Sequence, residues 1–186
     1  MDAKIFKELR NRKLGTQKFR KNAAIISLEL AKKTFGKIPA QKRSKVVLIM
    51  ILRSSIAMLP AFLKYFPSAL VGFIGLKRDE KTAIAKKYYE NLPKLNKNSI
   101  VVIPDPMLGT AGSLGHAIKI ITENGALAKN IYYTGFIAAN DPGVKRASKL
   151  IPKGNITLFA IDSKLDKKFY ITPGLGDFGD RFFGYK

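Results

Sequence analysis

Residues 99–121 read SIVVIPDPMLGTAGSLGHAIKII, and the fold follows from how that string changes character along its length. Ile100 to Ile103 is a run of β-branched residues, the pattern of a parallel strand buried on both faces. Asp105, Pro106, Gly109, Thr110, Gly112 and Ser113 then crowd small and polar residues into a turn. Leu114, Ala117, Ile118 and Ile121 follow at the spacing of one helix face. Strand, small-residue loop and helix N-terminus together form a site for phosphate: backbone N–H groups face outward, the helix dipole favours an anion, and small side chains allow close approach. No Gly-Lys-Ser/Thr follows, so this is not a Walker loop, and the glycines are misplaced for G-x-G-x-x-G. The plainer reading of the same residues is a βα turn with helix-capping hydroxyls.

Outward from that stretch, Val46 to Ile51, Ala69 to Leu76, Asn130 to Ile137 and Ile156 to Ile161 read as further strands. Helical segments separate them, so the expected class is α/β, a mainly parallel sheet flanked by helices. Arg53 follows the strand at Val46 to Ile51, and ligands in open α/β sheets bind beyond the carboxyl ends of strands. It is either an anion ligand or a snorkelling surface side chain. Residues 4–35 read as helix interrupted at Leu14-Gly15-Thr16, with Thr16 as an N-cap, and Gly36 to Lys45 as a short basic loop. Ile56 to Phe66 is expected as a helix that tolerates Pro60 in its first turns. Gly125 ends the helix after the central loop, and Asp141-Pro142 reads as an N-cap followed by proline at the first helical position. Residues 170–184, YITPGLGDFGDRFFG, are too rich in glycine for a helix or regular strand and predict a loop that displays its backbone.

The 186 residues fit a single domain, divided into a basic helical segment (residues 1–45) and a core (residues 46–186). There are 34 Lys and Arg against 13 Asp and Glu, a net charge of +21, and residues 1–45 hold 14 of those bases with three acids. Such a field attracts polyanions, including nucleic acid. The charges are interspersed, however, with no pure Lys/Arg block and no RNA-binding signature, so most of the excess reads as the mark of a basic proteome or a high-salt cytoplasm. Without cysteine there are no disulfides and no thiolate metal sites. No apolar run reaches the ~18 residues of a membrane span, and the charged N-terminus lacks a signal-peptide core, which together predict a cytoplasmic protein with no membrane partner. His116, the only histidine, has no partner ligands and is expected as a helix-surface or packing residue.

The string Asp105-Pro106-Met107-Leu108-Gly109-Thr110-Ala111-Gly112-Ser113 resembles the phosphoribosyl pyrophosphate (PRPP) loop of uracil phosphoribosyltransferases, D-P-M-L-A-T-G-G-S. Seven of nine positions agree, with Gly109 and Ala111 as the exceptions. Residues 170–184 resemble that family's uracil site, Y-I-V-P-G-L-G-D-A-G-D-R-x-F-G, departing at Thr172 and Phe178. Arg53 resembles the arginine of the family's I-L-R-A-G loop, with Ser54-Ser55 in place of Ala-Gly. Arg78 matches the arginine of Y-R-D/N-E-E-T, which read alone is a solvated charged turn. Tyr88-Tyr89 and Leu92-Pro93 match a Y-Y-x-K-L-P segment, expected as a flexible hairpin over the site. Leu9-Arg10, Thr16 and Phe19-Arg20 look like the family's opening helix.

The resemblance implies the type I phosphoribosyltransferase fold and a pyrimidine-salvage reaction, uracil plus PRPP giving UMP and pyrophosphate. It implies PRPP contacts from Arg53, Arg78, Asp177 and the whole loop Asp105 to Ser113, with Asp105, Arg53, Arg78 and Asp177 taking part in catalysis. It implies uracil contacts from Ile171, Gly176, Asp177 and Phe178, the Phe178 ring either stacking on the base or crowding it. Mg²⁺ is expected to arrive on PRPP, with no direct protein ligand. A homodimer or higher homo-oligomer is implied, although the family's dimerising arm is shortened here to little more than a turn. Pro106 occupies the position where purine and orotate transferases carry a second acid. The rival expectation is a catalytically weak or silent relative that binds nucleotides or nucleic acid, for which Ser54-Ser55, Ala111 and the charge of +21 speak.

Overall fold

The computed structural model describes residues 2–78 and 85–185, with the side chains of Arg78 and Ala85 left aside. Two helices open the chain, α1 (Ala3–Arg10) and α2 (Thr16–Lys37). A 3-10 turn over Ala40–Lys45 leads into β1 (Val46–Leu52), and a second over Ser54–Met58 leads into α3 (Leu59–Tyr65). Then come β2 (Leu70–Arg78), β3 (Ala85–Asn91), β4 (Ile100–Pro104), β5 (Met107–Leu108) and α4 (Gly112–Glu123). The chain continues through β6 (Ile131–Ala139), α5 (Lys145–Leu150), β7 (Ile156–Asp162), β8 (Lys164–Leu165), β9 (Ile171–Thr172) and α6 (Phe178–Phe183).

Seven strands form one sheet in the order β3-β2-β1-β4-β6, with β5 continuing beside β6 beyond β4 and β7 on the other edge of β6. Every pairing is parallel except β2 with β3. Alternation along β1 builds two cores. Val46, Leu48 and Met50 face α1, α2 and α3, while Val47, Ile49 and Ile51 face α4 and α5. A parallel sheet covered on both faces is the arrangement that its continuous apolar strands demand. On α2, Phe19, Ala23, Ile26, Leu30 and Ala31 are all buried, as their helical stripe predicts. Thr34 and Thr134 pair their hydroxyls at 2.7 Å where α2 crosses β6, so neither polar group is stranded in the core.

Several boundaries differ from the sequence reading. Thr16 is the first residue of α2 rather than its cap: Gly15 holds the cap position, with no side-chain cap bond. The expected helix over Ile56 to Phe66 begins as a 3-10 turn, so Pro60 falls near the start of α3, where no helical N–H is lost. The basic loop over Gly36 to Lys45 is partly 3-10 helix. Asp141 caps nothing: its carboxylate takes Lys145 Nζ at 3.3 Å, and a π-type turn over Asn140–Val144 runs into α5. Residues 170–184 contain a helix after all. Asp177 accepts the Asp180 N–H and starts α6, and Gly184 at φ +86 stops it, so the two ends supply the order that composition argued against. Gly125 does close α4, at φ +101. Among the described residues no helix is long and apolar enough to cross a membrane.

Candidate active site

A cleft of about 310 Å³ opens beyond the carboxyl ends of β1 and β4. Its floor is the β4–α4 loop, in which Asp105 and every residue from Met107 to Ser113 line the space. Opposite stands the C-terminal segment, contributing Ile171, Gly176, Asp177 and Phe178. Arg53 and Ser54, at the end of β1, close a third side. Thr110 and Asp177, far apart in sequence, thus share one cavity. Leu76, Phe169 and Gly179 also reach the wall. Nothing in their local sequence marks Leu76 or Phe169, and only the fold brings them here.

The loop is shaped by close packing from beneath. A Cβ at Gly143, in the turn before α5, would lie 2.5 Å from the Leu108 carbonyl and 2.6 Å from that of Gly109, so only glycine lets this turn press against the loop. Arg146 reaches up to donate to the Thr110 carbonyl at 3.4 Å. Thr110 Oγ1 accepts the Gly112 N–H at 3.2 Å. Ala111 holds the cap position of α4 in the left-handed region, φ 60 and ψ 15, a conformation that costs any residue with a Cβ. Pro106 is buried behind the loop and does not line the cleft: its carbonyl accepts the N–H groups of Phe136 and Ile137 at 3.0 and 3.1 Å.

Asp105 is the buried ionisable group of the floor. Burial pushes its carboxyl up to about 7, partly opposed by the Met107 N–H. Its main chain is fixed on two sides. Its N–H donates to the Thr134 carbonyl at 2.9 Å, and its carbonyl accepts the Tyr133 hydroxyl at 2.8 Å. Across the cleft, Asp177 Oδ1 is engaged by the Asp180 N–H at 2.8 Å, so this carboxylate also starts α6. Arg53 is an exposed cation at the rim. Its guanidinium lies 5.4 Å from the Tyr185 ring centre and 3.8 Å from Asp180 Oδ1.

Arg78 ends β2, but its side chain lies outside the described residues, as does the loop Asp79 to Thr82. Tyr88 and Tyr89 sit on β3, antiparallel to β2, and both are exposed without lining the cleft. Phe178 lines the cleft, but its side chain has almost no exposed surface. It is buried against Phe19, Phe136 and Phe182, with centroids 5.2, 5.1 and 6.0 Å away. A large apolar ring at the first position of α6 gains more from the core beneath than from a polar cleft. His116 is exposed on α4. Among the described residues no three His, Cys, Asp or Glu cluster as a metal site.

A floor of backbone amides and small hydroxyls at a helix N-terminus, a buried acid and an arginine at the rim together suit a phosphorylated substrate. A family profile described as uracil phosphoribosyltransferase matches residues 39–185. A curated uracil phosphoribosyltransferase from Malacoplasma penetrans is 44% identical over 77% of this chain and 68% of its own length. Another from Campylobacter curvus is 42% identical over 75% of this chain and 66% of its own length, so the aligned stretch spans about two thirds of these relatives. Among solved structures, the AQ2163 protein from Aquifex aeolicus superposes with a TM-score of 0.86 at 31% identity, over 98% of this chain and 95% of that one. The hypoxanthine-guanine phosphoribosyl transferase of L. donovani has a TM-score of 0.57 at 10% identity, over 82% of this chain and 86% of that one, a likeness of fold alone.

Proposed function

Because the chain belongs to the uracil phosphoribosyltransferase family, we propose that this cleft transfers the 5-phosphoribosyl group of PRPP to uracil, giving UMP and pyrophosphate. The observation that carries the proposal is the meeting of the β4–α4 loop with the C-terminal segment across one cavity. A phosphate end and a base end face each other over a space of ligand size.

As the bond from the anomeric carbon to pyrophosphate breaks, with its electron pair going to the departing oxygen, uracil N1 bonds to that carbon, and the N1 proton passes to the leaving pyrophosphate. The transition state has oxocarbenium character, so positioning and charge stabilisation supply most of the acceleration. Thr110, Gly112 and Ser113, with nearby backbone amides, hold the 5′-phosphate at the start of α4. Ionised Asp105 accepts from the ribose hydroxyls. Arg53 and Arg78 bind the pyrophosphate and neutralise its charge as it departs. Asp177 stands near the reacting centre, while the backbone of Ile171 and of Gly176 to Phe178 reads the carbonyls and N3–H of uracil. Such a site rejects cytosine by leaving main-chain groups unpaired.

The carboxylates lining the cleft, Asp105 and Asp177, offer oxygen donors only, which suits a hard cation carried in on the pyrophosphate. Mg²⁺ bound that way neutralises the charge of the leaving group. Cytoplasmic location and a homo-oligomeric state belong to the same proposal, supported by family membership. The reading of a silent nucleotide or nucleic-acid binder is not favoured. Ser55 is accommodated without disturbance, its hydroxyl donating to the Ile51 carbonyl at 2.6 Å. Incubating the protein with radiolabelled uracil, PRPP and Mg²⁺ tests the proposal: labelled UMP is expected, and no UMP at saturating substrates overturns it.

A further inference from the structure

We propose that Arg10 and Arg12, in the segment before the family-matched region, are positioning residues that set the uracil-reading geometry of the C-terminal loop together with Arg181. The inference rests on the reading that the cleft takes uracil. Three consecutive carbonyls of that loop accept from three different guanidiniums. Arg12 Nη2 reaches Pro173 O at 3.3 Å, Arg10 Nη1 reaches Gly174 O at 3.1 Å, and Arg181 Nη1 reaches Leu175 O at 2.5 Å.

The same arginines are anchored elsewhere. Arg10 forks onto Asp162 at 2.7 and 2.8 Å, and Asp162 Oδ2 accepts the Gly174 N–H at 2.7 Å. Both main-chain groups of Gly174 are therefore tied to one ion pair. Arg181 runs on to the carbonyls of Leu9 and Asn11 at 2.6 and 2.7 Å. The Arg12 guanidinium sits against Gly176, where an added Cβ would meet Nη1 at 2.1 Å.

A base read by main-chain atoms is read only as well as those atoms are held, to about 0.5 Å. Charge-assisted bonds are the stronger kind and serve that end. They also polarise what they hold. The peptide whose carbonyl bonds Arg181 is the one whose N–H belongs to Gly176, a cleft-lining residue, so the guanidinium strengthens that N–H as a donor. The phosphate loop, at the other end of the cleft, shares none of these bonds. Uracil recognition therefore depends on α1 and the turn after it, and PRPP recognition does not.

The test is steady-state kinetics on wild type, Arg10→Ala, Arg10→Lys and Arg12→Ala, with melting followed in parallel. Arg10→Ala is expected to raise the uracil KM about tenfold or more, with the PRPP KM within about twofold. Arg10→Lys should fall between, since an ammonium cannot form the fork. Arg12 is exposed, so Arg12→Ala should fold and still raise the uracil KM about threefold. If Arg10→Ala fails to fold, Arg12→Ala decides alone. Uracil KM values within about twofold of wild type, or both KM values rising together, overturn the inference. A wild type that makes no UMP sinks the functional reading instead. Amide exchange at Gly174 and Gly176 then decides the positioning role: acceleration of about tenfold in Arg10→Ala supports it and unchanged exchange overturns it.

Discussion

The hydroxyl of Tyr133 donates to the main-chain carbonyl of Asp105 at 2.8 Å, from a side chain with no exposed surface. A residue of β6 thereby holds the backbone of the acid proposed to bind the ribose. Burial, and then the nearby Asp105 carboxylate, push the Tyr133 hydroxyl well above its usual range, so it stays a donor at every working pH. Tyr133→Phe should cost about 1 kcal/mol in denaturant unfolding. It should also lower kcat/KM for PRPP severalfold while leaving the uracil KM alone, by loosening the floor rather than the roof.

Asp105 predicts a pH dependence of stability whose sign is unusual for a carboxylate. Its pKa rises from 3.8 to about 7 because the charged form is desolvated. Between those values the folded chain keeps a proton that the unfolded chain releases. Stability therefore falls as pH rises through that window and levels off above it, by an amount of at most roughly 4 kcal/mol. Asp105→Asn should melt like the wild type near pH 4 and higher than the wild type at pH 8, while losing activity. In the wild type, kcat/KM for PRPP should climb through an acid limb near the same pKa of about 7. Melting curves of equal slope against pH for the two proteins would refute this account.

Ala111 stands at φ 60, where glycine carries no Cβ penalty. Ala111→Gly should raise stability by about 1 kcal/mol, net of the entropy that glycine adds to the unfolded chain. Activity should hold or improve, since the backbone conformation of the loop is kept. A collapse of activity in the assay would mean that the alanine methyl itself touches substrate.

Phe178 belongs to an aromatic cluster with Phe19, Phe136 and Phe182. Phe178→Ala should cost about 3–5 kcal/mol in unfolding, the range for truncating a buried ring. Selectivity between uracil and cytosine, measured on the surviving folded protein, should move little. A large change in selectivity without loss of stability would put the ring back beside the base.

Much of the proposed phosphate side was legible from the chain alone. Apolar runs set the strands, and strand, loop and helix N-terminus follow one another without a break from Ile100 to Glu123, so local rules suffice there. The proposed base side was legible as a loop but not as a helix. Its composition argues against one, and only the cap at Asp177 and the stop at Gly184 make α6 hold. The direction of the Phe178 ring depends on Phe19 and Phe136, distant residues that periodicity cannot pair with it. The bonds from Arg10 and Arg181 cross more than 150 residues of sequence, and an arginine on a short helix carries no local mark of such a partner. Pro106, inside the motif, has its carbonyl taken by the N–H groups of Phe136 and Ile137 in the sheet behind, a bond that local sequence does not announce.

Arg181 closes onto Leu9 across 172 positions, so the roof of the cleft joins the earliest helix to the last one. During translation, the carbonyls of Leu9 and Asn11 stay with water until that arginine has left the ribosome. The sheet and the phosphate floor need no such delay. The growing chain is therefore expected to gain an anion-binding half before it gains any means of choosing a pyrimidine.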